Sequence, residues 1–176
     1  KAISFVGSTP VARYIYSKGT ANGKRVQAQG GAKNPVIVLP DADIEMSTKI
    51  IADSVYGCAG QRCLAASTIV TVDDQGNNLK DALYETVKSR TVGYGWDKGV
   101  SMGPVITPES KNRITDLIEL GISEGANALL DGRKTKVSGY EEGNFLAPTI
   151  LENVHLAKQL IKTEIFGPVM SLISMK

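Results

Sequence analysis

Apolar and polar positions along the chain follow two periods in alternation. The opening run Lys1-Ala2-Ile3-Ser4-Phe5-Val6 has the β-branched and aromatic pattern of a strand. Gly7-Ser8-Thr9 breaks it, and Val11, Tyr14, Ile15 and Lys18 then recur at helical spacing, which predicts a strand, turn and helix in succession. Val26 to Leu39 reads as mostly extended, interrupted at Gly30-Gly31. Asp41-Ala42-Asp43 next supplies N-cap chemistry for a helix over about Ile44 to Gly57, with Met46, Ile50, Ile51 and Val55 as its apolar face. Gly57 and Gly60 end that pattern, so Cys63 is expected in a loop leading into the strand Ser67 to Val72.

Farther on, Leu79 to Lys88 reads as a helix, Gly93 to Met102 as a glycine-punctuated loop, and Ser110 to Gly125 as a helix with Ile114, Leu117, Ile118 and Ile122 on one stripe. Ala128 to Leu130 is a short strand before an Asp131-Gly132 turn. Phe145 to Ile150 is strand-like, Glu152 to Ile161 helical, and Gly167-Pro168 precedes a last strand from Val169. Strands alternating with helices predict an α/β fold on a largely parallel sheet flanked by helices. Both ends look like cuts through strands of a larger fold.

Composition narrows the function classes. A length of 176 residues with 42% hydrophobic and 22% charged residues suits one ordinary domain with a packed core, and the longest apolar runs fall short of a membrane span. Lys and Arg exceed Asp and Glu by two, without a block of like charge, so nothing points to a nucleic acid or a membrane surface. Cys58, Cys63 and the single His155 lack zinc-site spacing and form no disulfide framework, which predicts free thiols, no metal, and a compartment that is not secretory.

Cys63 is the candidate nucleophile. Gly57, Ala59 and Gly60 keep its surroundings small, and Arg62 beside it is the kind of neighbour that favours a reactive thiolate. Cys58 is expected to pack in the core, as is the more common fate of a free cysteine. Trp96 and Tyr94 are expected to pack under their loop, and Arg133, Lys134 and Lys136 to form a solvated turn.

Four segments in order, Phe5-Val6-Gly7-Ser8-Thr9, Gly31-Ala32-Lys33-Asn34-Pro35, Gly60-Gln61-Arg62-Cys63-Leu64-Ala65 and Glu164-Ile165-Phe166-Gly167-Pro168-Val169, resemble the aldehyde dehydrogenase family across essentially the whole chain. The resemblance implies residues 1–35 as the end of a Rossmann-like NAD-binding domain and 36–176 as a catalytic domain incomplete at its C-terminus. It gives Cys63 the nucleophile's role, Gly7 and Ser8 the NAD pyrophosphate at a helix N-terminus, Glu164 the nicotinamide ribose hydroxyls, and Phe166 a place beside the nicotinamide. It also implies an aldehyde substrate, a homo-oligomeric parent (dimer or tetramer) in a bacterial cytoplasm or mitochondrial matrix, and an oxyanion-binding Asn that has no counterpart in these residues. Where the family has a glycine three residues after Thr9, this chain has Ala12.

Hydrolytic members carry a Glu, the base for water, four residues before the Lys that matches Lys33; this chain has Gln29, whose amide cannot take that proton. Together with Gly23-Lys24-Arg25-Val26-Gln27-Ala28 and Leu130-Asp131-Gly132-Arg133-Lys134, this resembles the CoA-acylating methylmalonate-semialdehyde branch, in which coenzyme A takes the acyl group. Arg62 would then hold the substrate carboxylate. The alternatives are a hydrolytic semialdehyde dehydrogenase and a non-catalytic relative, and the 176 residues alone are expected to be inactive.

Overall fold

The structure, a computed structural model, describes residues 1–73 and 75–175, with the side chains of 75–77 left aside. The chain forms two compact units, 1–32 and 33–176.

The first unit is a β-α-β element. Strand β1 (Ala2–Val6) and strand β2 (Arg25–Gln29) pair in parallel, Ile3 opposite Val26, joined by helix α1 (Thr9–Ala21). Pro10 in the first turn of α1 suits a position whose N–H has no intrahelical acceptor.

The second unit is built on a five-stranded sheet in the order β3-β4-β7-β6-β5, from β3 (Asn34–Val38), β4 (Ala66–Val72), β5 (Asn127–Leu130), β6 (Thr149–Glu152) and β7 (Val169–Met175). All neighbours are parallel except the β5–β6 pair. The expected α/β class is what is found. Helices α2 (Ile44–Tyr56), α3 (Gln75–Lys88), α4 (Pro108–Ser123) and the single-turn α5 (Gln159–Lys162) complete it. β7 is buried over its first five residues and β4 is never exposed, as expected for strands covered on both faces. Ile51, Val55, Ile69, Ile114, Ile150 and Leu160 sit in one continuous core.

The expected cap at Asp43 is present, its carboxylate accepting the Met46 N–H at 2.9 Å, and the Thr107 hydroxyl, not singled out in the sequence, likewise accepts that of Ser110 at 3.1 Å. The buried face of α2 differs from expectation. Thr48, Ile51, Ala52, Val55 and Tyr56 point inward, whereas Met46 and Ile50 are 61% and 60% exposed, because they lie on the adjoining row of the same helix. The strand expected over Phe145 to Ile150 begins only at Thr149. Phe145 and Leu146 are buried without ladder pairing, Ala147 N–H donates to Gly132 O at 3.1 Å, and Pro148 has no N–H to offer a ladder. In place of a helix over Glu152 to Ile161, Glu152 completes β6, Asn153 turns the chain at φ +58°, and only Gln159–Lys162 coils. Trp96, expected to pack under its loop, is 87% exposed; Tyr94 instead stacks on Tyr140 at 5.3 Å.

Candidate active site

Helix α2 delivers the chain to the cysteine loop. After Tyr56, buried with its hydroxyl donating to Thr149 O at 3.0 Å, Cys58, Ala59 and Gly60 take φ of +52°, +53° and +69°. Three successive residues in the left-handed region turn the backbone sharply. Cys58 is thereby exposed, contrary to its expected place in the core: the turn carries its side chain off the buried face of α2.

Cys63 lies in the irregular stretch before β4, and its thiol is free and exposed. Three neighbouring side chains hold the loop. Asn34, at the start of β3, donates from Nδ2 to Cys63 O at 2.8 Å and to Ala65 O at 3.0 Å. Gln61 Oε1 accepts the Ile106 N–H at 3.0 Å. Arg62 Nη2 donates to Asp53 O and Ser54 O, both at 2.9 Å. The guanidinium expected at a substrate carboxylate here donates to the last turn of α2, where the negative end of the helix dipole attracts a cation; Asp53 O accepts the Gly57 N–H as well. The Arg62 Nε is buried without a partner among the described residues. Arg62 acts on this site through the scaffold.

Glu164 and Phe166 lie on the segment that meets this loop. A Cβ placed on Gly60 would fall 2.1 Å from Gly167 O, so the two segments touch backbone to backbone. Glu164 is half-buried, and no hydrogen bond or ion pair holds its carboxylate among the described residues; Phe166 is half-buried at φ +51°. Arg113 of α4 donates to Glu164 O at 3.2 Å and to Ile165 O, and Lys33 Nζ donates to Thr163 O at 3.1 Å.

Burial of Lys33 lowers its pKa from the ordinary 10.5 to about 8, opposed in part by the nearby Glu164 carboxylate. The unfolded chain then binds more protons than the folded one between those two values, so stability rises as pH is raised from about 8 to 10.5. Denaturant melts of the wild type compared with Lys33→Met isolate this contribution; above pH 10 the buried Tyr56 hydroxyl, held protonated by desolvation, acts in the opposite direction in both proteins.

In the first unit, Ser8 precedes α1 with extended backbone, and its hydroxyl makes no capping bond. Gly7 N–H donates to Gln29 O at 3.1 Å, and Gln29 ends β2 with an exposed side chain. A depression of about 500 Å³ beside them is lined by Thr9, Ala12, Arg13, Tyr16, Ser17 and Gly30. Elsewhere, Arg133 is paired with Asp131 and Glu119, so its charge is already matched. No cluster of three His, Cys, Asp or Glu suited to a metal occurs among the described residues.

The sequence did not single out Asn34, Lys33, Gln61 and Arg113, which hold the backbone of these two segments. The first three lie inside the motif segments and were open to a closer reading of them. Arg113 carries no local signal.

A largely parallel α/β sheet thus carries a free, exposed thiol on an anchored loop, packed against a segment whose Glu164 carboxylate has no hydrogen-bond or ion-pair partner among the described residues. The chain belongs to the aldehyde dehydrogenase family, whose profile matches residues 1–176. It is 49% identical over 173 residues to the mitochondrial methylmalonate-semialdehyde/malonate-semialdehyde dehydrogenase [acylating] of Rattus norvegicus, covering 98% of this chain and 32% of that protein. With the malonate-semialdehyde dehydrogenase of Halalkalibacterium halodurans, identity is 46% over 98% of this chain and 35% of the relative. This chain thus spans about a third of the length of these relatives. Among solved structures, the methylmalonate-semialdehyde dehydrogenase of Oceanimonas doudoroffii superposes with a TM-score of 0.96 at 40% identity, over 99% of this chain and 36% of that one. The betaine aldehyde dehydrogenase of Staphylococcus aureus in complex with NAD+ gives 0.93 at 30% identity, over 99% and 35%.

Proposed function

We propose that this chain carries the nucleophile and part of the cofactor surface of an NAD-dependent, CoA-acylating dehydrogenase of malonate or methylmalonate semialdehyde. The observation that carries this reading is the exposed Cys63 thiol on a loop fixed by Asn34, Gln61 and Arg62. The acylating rat relative at 49% identity and the malonate-semialdehyde dehydrogenase at 46% support the substrate class. Residues 1–35 are read as the end of the cofactor domain and 36–176 as the catalytic domain; the compact units 1–32 and 33–176 support a division near that point.

The residues present fit NAD. The uncapped Ser8 hydroxyl at the start of α1, with Gly7, suits a phosphate. The unpaired Glu164 carboxylate can accept two ribose hydroxyls, with Phe166 beside the nicotinamide.

The Cys63 thiolate adds to the aldehyde carbon, and the carbonyl oxygen becomes an oxyanion. The Cys63 N–H, which has no acceptor among the described residues, is the local donor for it. NAD, when bound, supplies the hydride acceptor that leaves a thioester on Cys63. Gln29 offers no carboxylate to activate water, whereas a CoA thiolate adds to the thioester without a base of that kind, and Cys63 departs as thiolate. The acyl group passes to CoA with no further redox change.

Assaying the full-length protein with malonate semialdehyde and NAD, with and without CoA, tests this. Acyl-CoA is the expected product, with NADH formation stopping near one equivalent per site when CoA is withheld. Equal release of free acid without CoA would establish the hydrolytic alternative, and no NADH under either condition the non-catalytic one.

A further inference from the structure

Three consecutive carbonyls, those of Thr163, Glu164 and Ile165, are each taken by a cationic side chain from a distant element. Lys33 reaches Thr163 O from the start of β3, 130 positions away, and Arg113 reaches the other two from α4. Ile114, the next residue of α4, is fully buried, and a Cβ on Gly167 would lie 2.5 Å from its Cδ1, so the helix braces the far end of the same segment. Between these holds Phe166 adopts φ +51°, a conformation that a non-glycine residue keeps only where its surroundings enforce it. The Glu164 backbone is therefore pinned on both sides while its carboxylate stays unpaired among the described residues.

We infer that Arg113 and Lys33 are positioning residues: they fix the Glu164 carboxylate in the orientation that binds the ribose of the dinucleotide. This rests on the cofactor role proposed above for Glu164. A cation on a backbone carbonyl gives a charge-assisted bond that a neutral donor would not match, and Arg113 with its fork spans two carbonyls at once. Lys33 also places its ammonium where it feels the Glu164 carboxylate directly.

The test is a double-mutant cycle in the full-length protein, read as the KM for NAD and as kcat at saturating NAD. Arg113→Ala and Glu164→Gln should each raise the KM for NAD by about tenfold or more, while Arg113→Ala added to Glu164→Gln should change it by less than about twofold. Lys33→Met should behave like a weaker Arg113→Ala. Arg113→Lys, which can hold one carbonyl, should fall between wild type and alanine, and it keeps the test available if the alanine variant does not fold. Multiplying effects of Arg113→Ala and Glu164→Gln would overturn the positioning role and leave Glu164 in its own. An unchanged KM for NAD in Glu164→Gln would overturn both.

Discussion

Cys63→Ala in the full-length protein lowers NAD-dependent aldehyde oxidation by at least about 1,000-fold, while Cys58→Ala leaves it within about threefold of wild type. The contrast follows from geometry rather than exposure, because both thiols are exposed and free. Cys63 sits where its own carbonyl and that of Ala65 are fixed by Asn34, with the loop anchored on either side by Gln61 and Arg62. Its thiol is therefore presented from a fixed backbone, the condition under which a bound aldehyde gains from orientation. Cys58 occupies the left-handed turn instead, at φ +52°, where its own carbonyl accepts the Gln61 N–H and no side chain among the described residues bonds its backbone. Stopped-flow NADH fluorescence gives the rate, and timed alkylation gives the thiol order: Cys63 should be modified far faster than Cys58, with loss of activity tracking its modification. Comparable losses in the two alanine variants would sink the assignment.

The alternation of strand and helix was legible because each element carries its own period, and so was the cap at Asp43, whose chemistry is local. What escaped was set by long-range packing. Met46 and Ile50 share the helical spacing of the buried row of α2, so periodicity alone cannot say which of two adjacent rows meets the sheet. Phe145 and Leu146 have strand composition and core burial yet no ladder, because the turn at Gly132 takes the Ala147 N–H first. At the site, the motif segments announced Cys63 and Glu164. Their supports were hidden for a physical reason: Asn34, Arg62, Lys33 and Arg113 all act on backbone carbonyls, which every residue has, so no complementary side chain marks the partner. Arg62 is read from its place beside the nucleophile as a substrate anchor, and the structure adds bonds from its Nη2 to Asp53 O and Ser54 O at the end of α2, which no sequence signal marked.

Gly60→Ala is expected to destabilise the second unit by about 2–5 kcal/mol. The sum has two parts: about 1–2 kcal/mol for placing an L side chain in the left-handed region, and about 1–3 kcal/mol for overpacking against rigid neighbours. Gly60 has φ +69°, and its new Cβ would lie 2.1 Å from Gly167 O and 3.0 Å from Val55 O, both backbone atoms that cannot rotate away. Gly99 supplies the control. It too is left-handed, at φ +87°, but nothing lies within 4 Å of a Cβ there, so Gly99→Ala should carry the conformational part alone, about 1–2 kcal/mol. Denaturant melts of the two variants in the full-length protein measure the difference directly, and equal losses would show that the contact between Gly60 and Gly167 gives readily. The contact also predicts a functional signature. Because Gly60 leads into Gln61-Arg62-Cys63 and Gly167 ends the segment bearing Glu164, the two can only be relieved by moving the nucleophile away from the carboxylate assigned to the cofactor. The folded fraction of Gly60→Ala should therefore still alkylate at Cys63 but transfer hydride at least about tenfold more slowly, since an ångström of misplacement costs that much or more at a reacting centre.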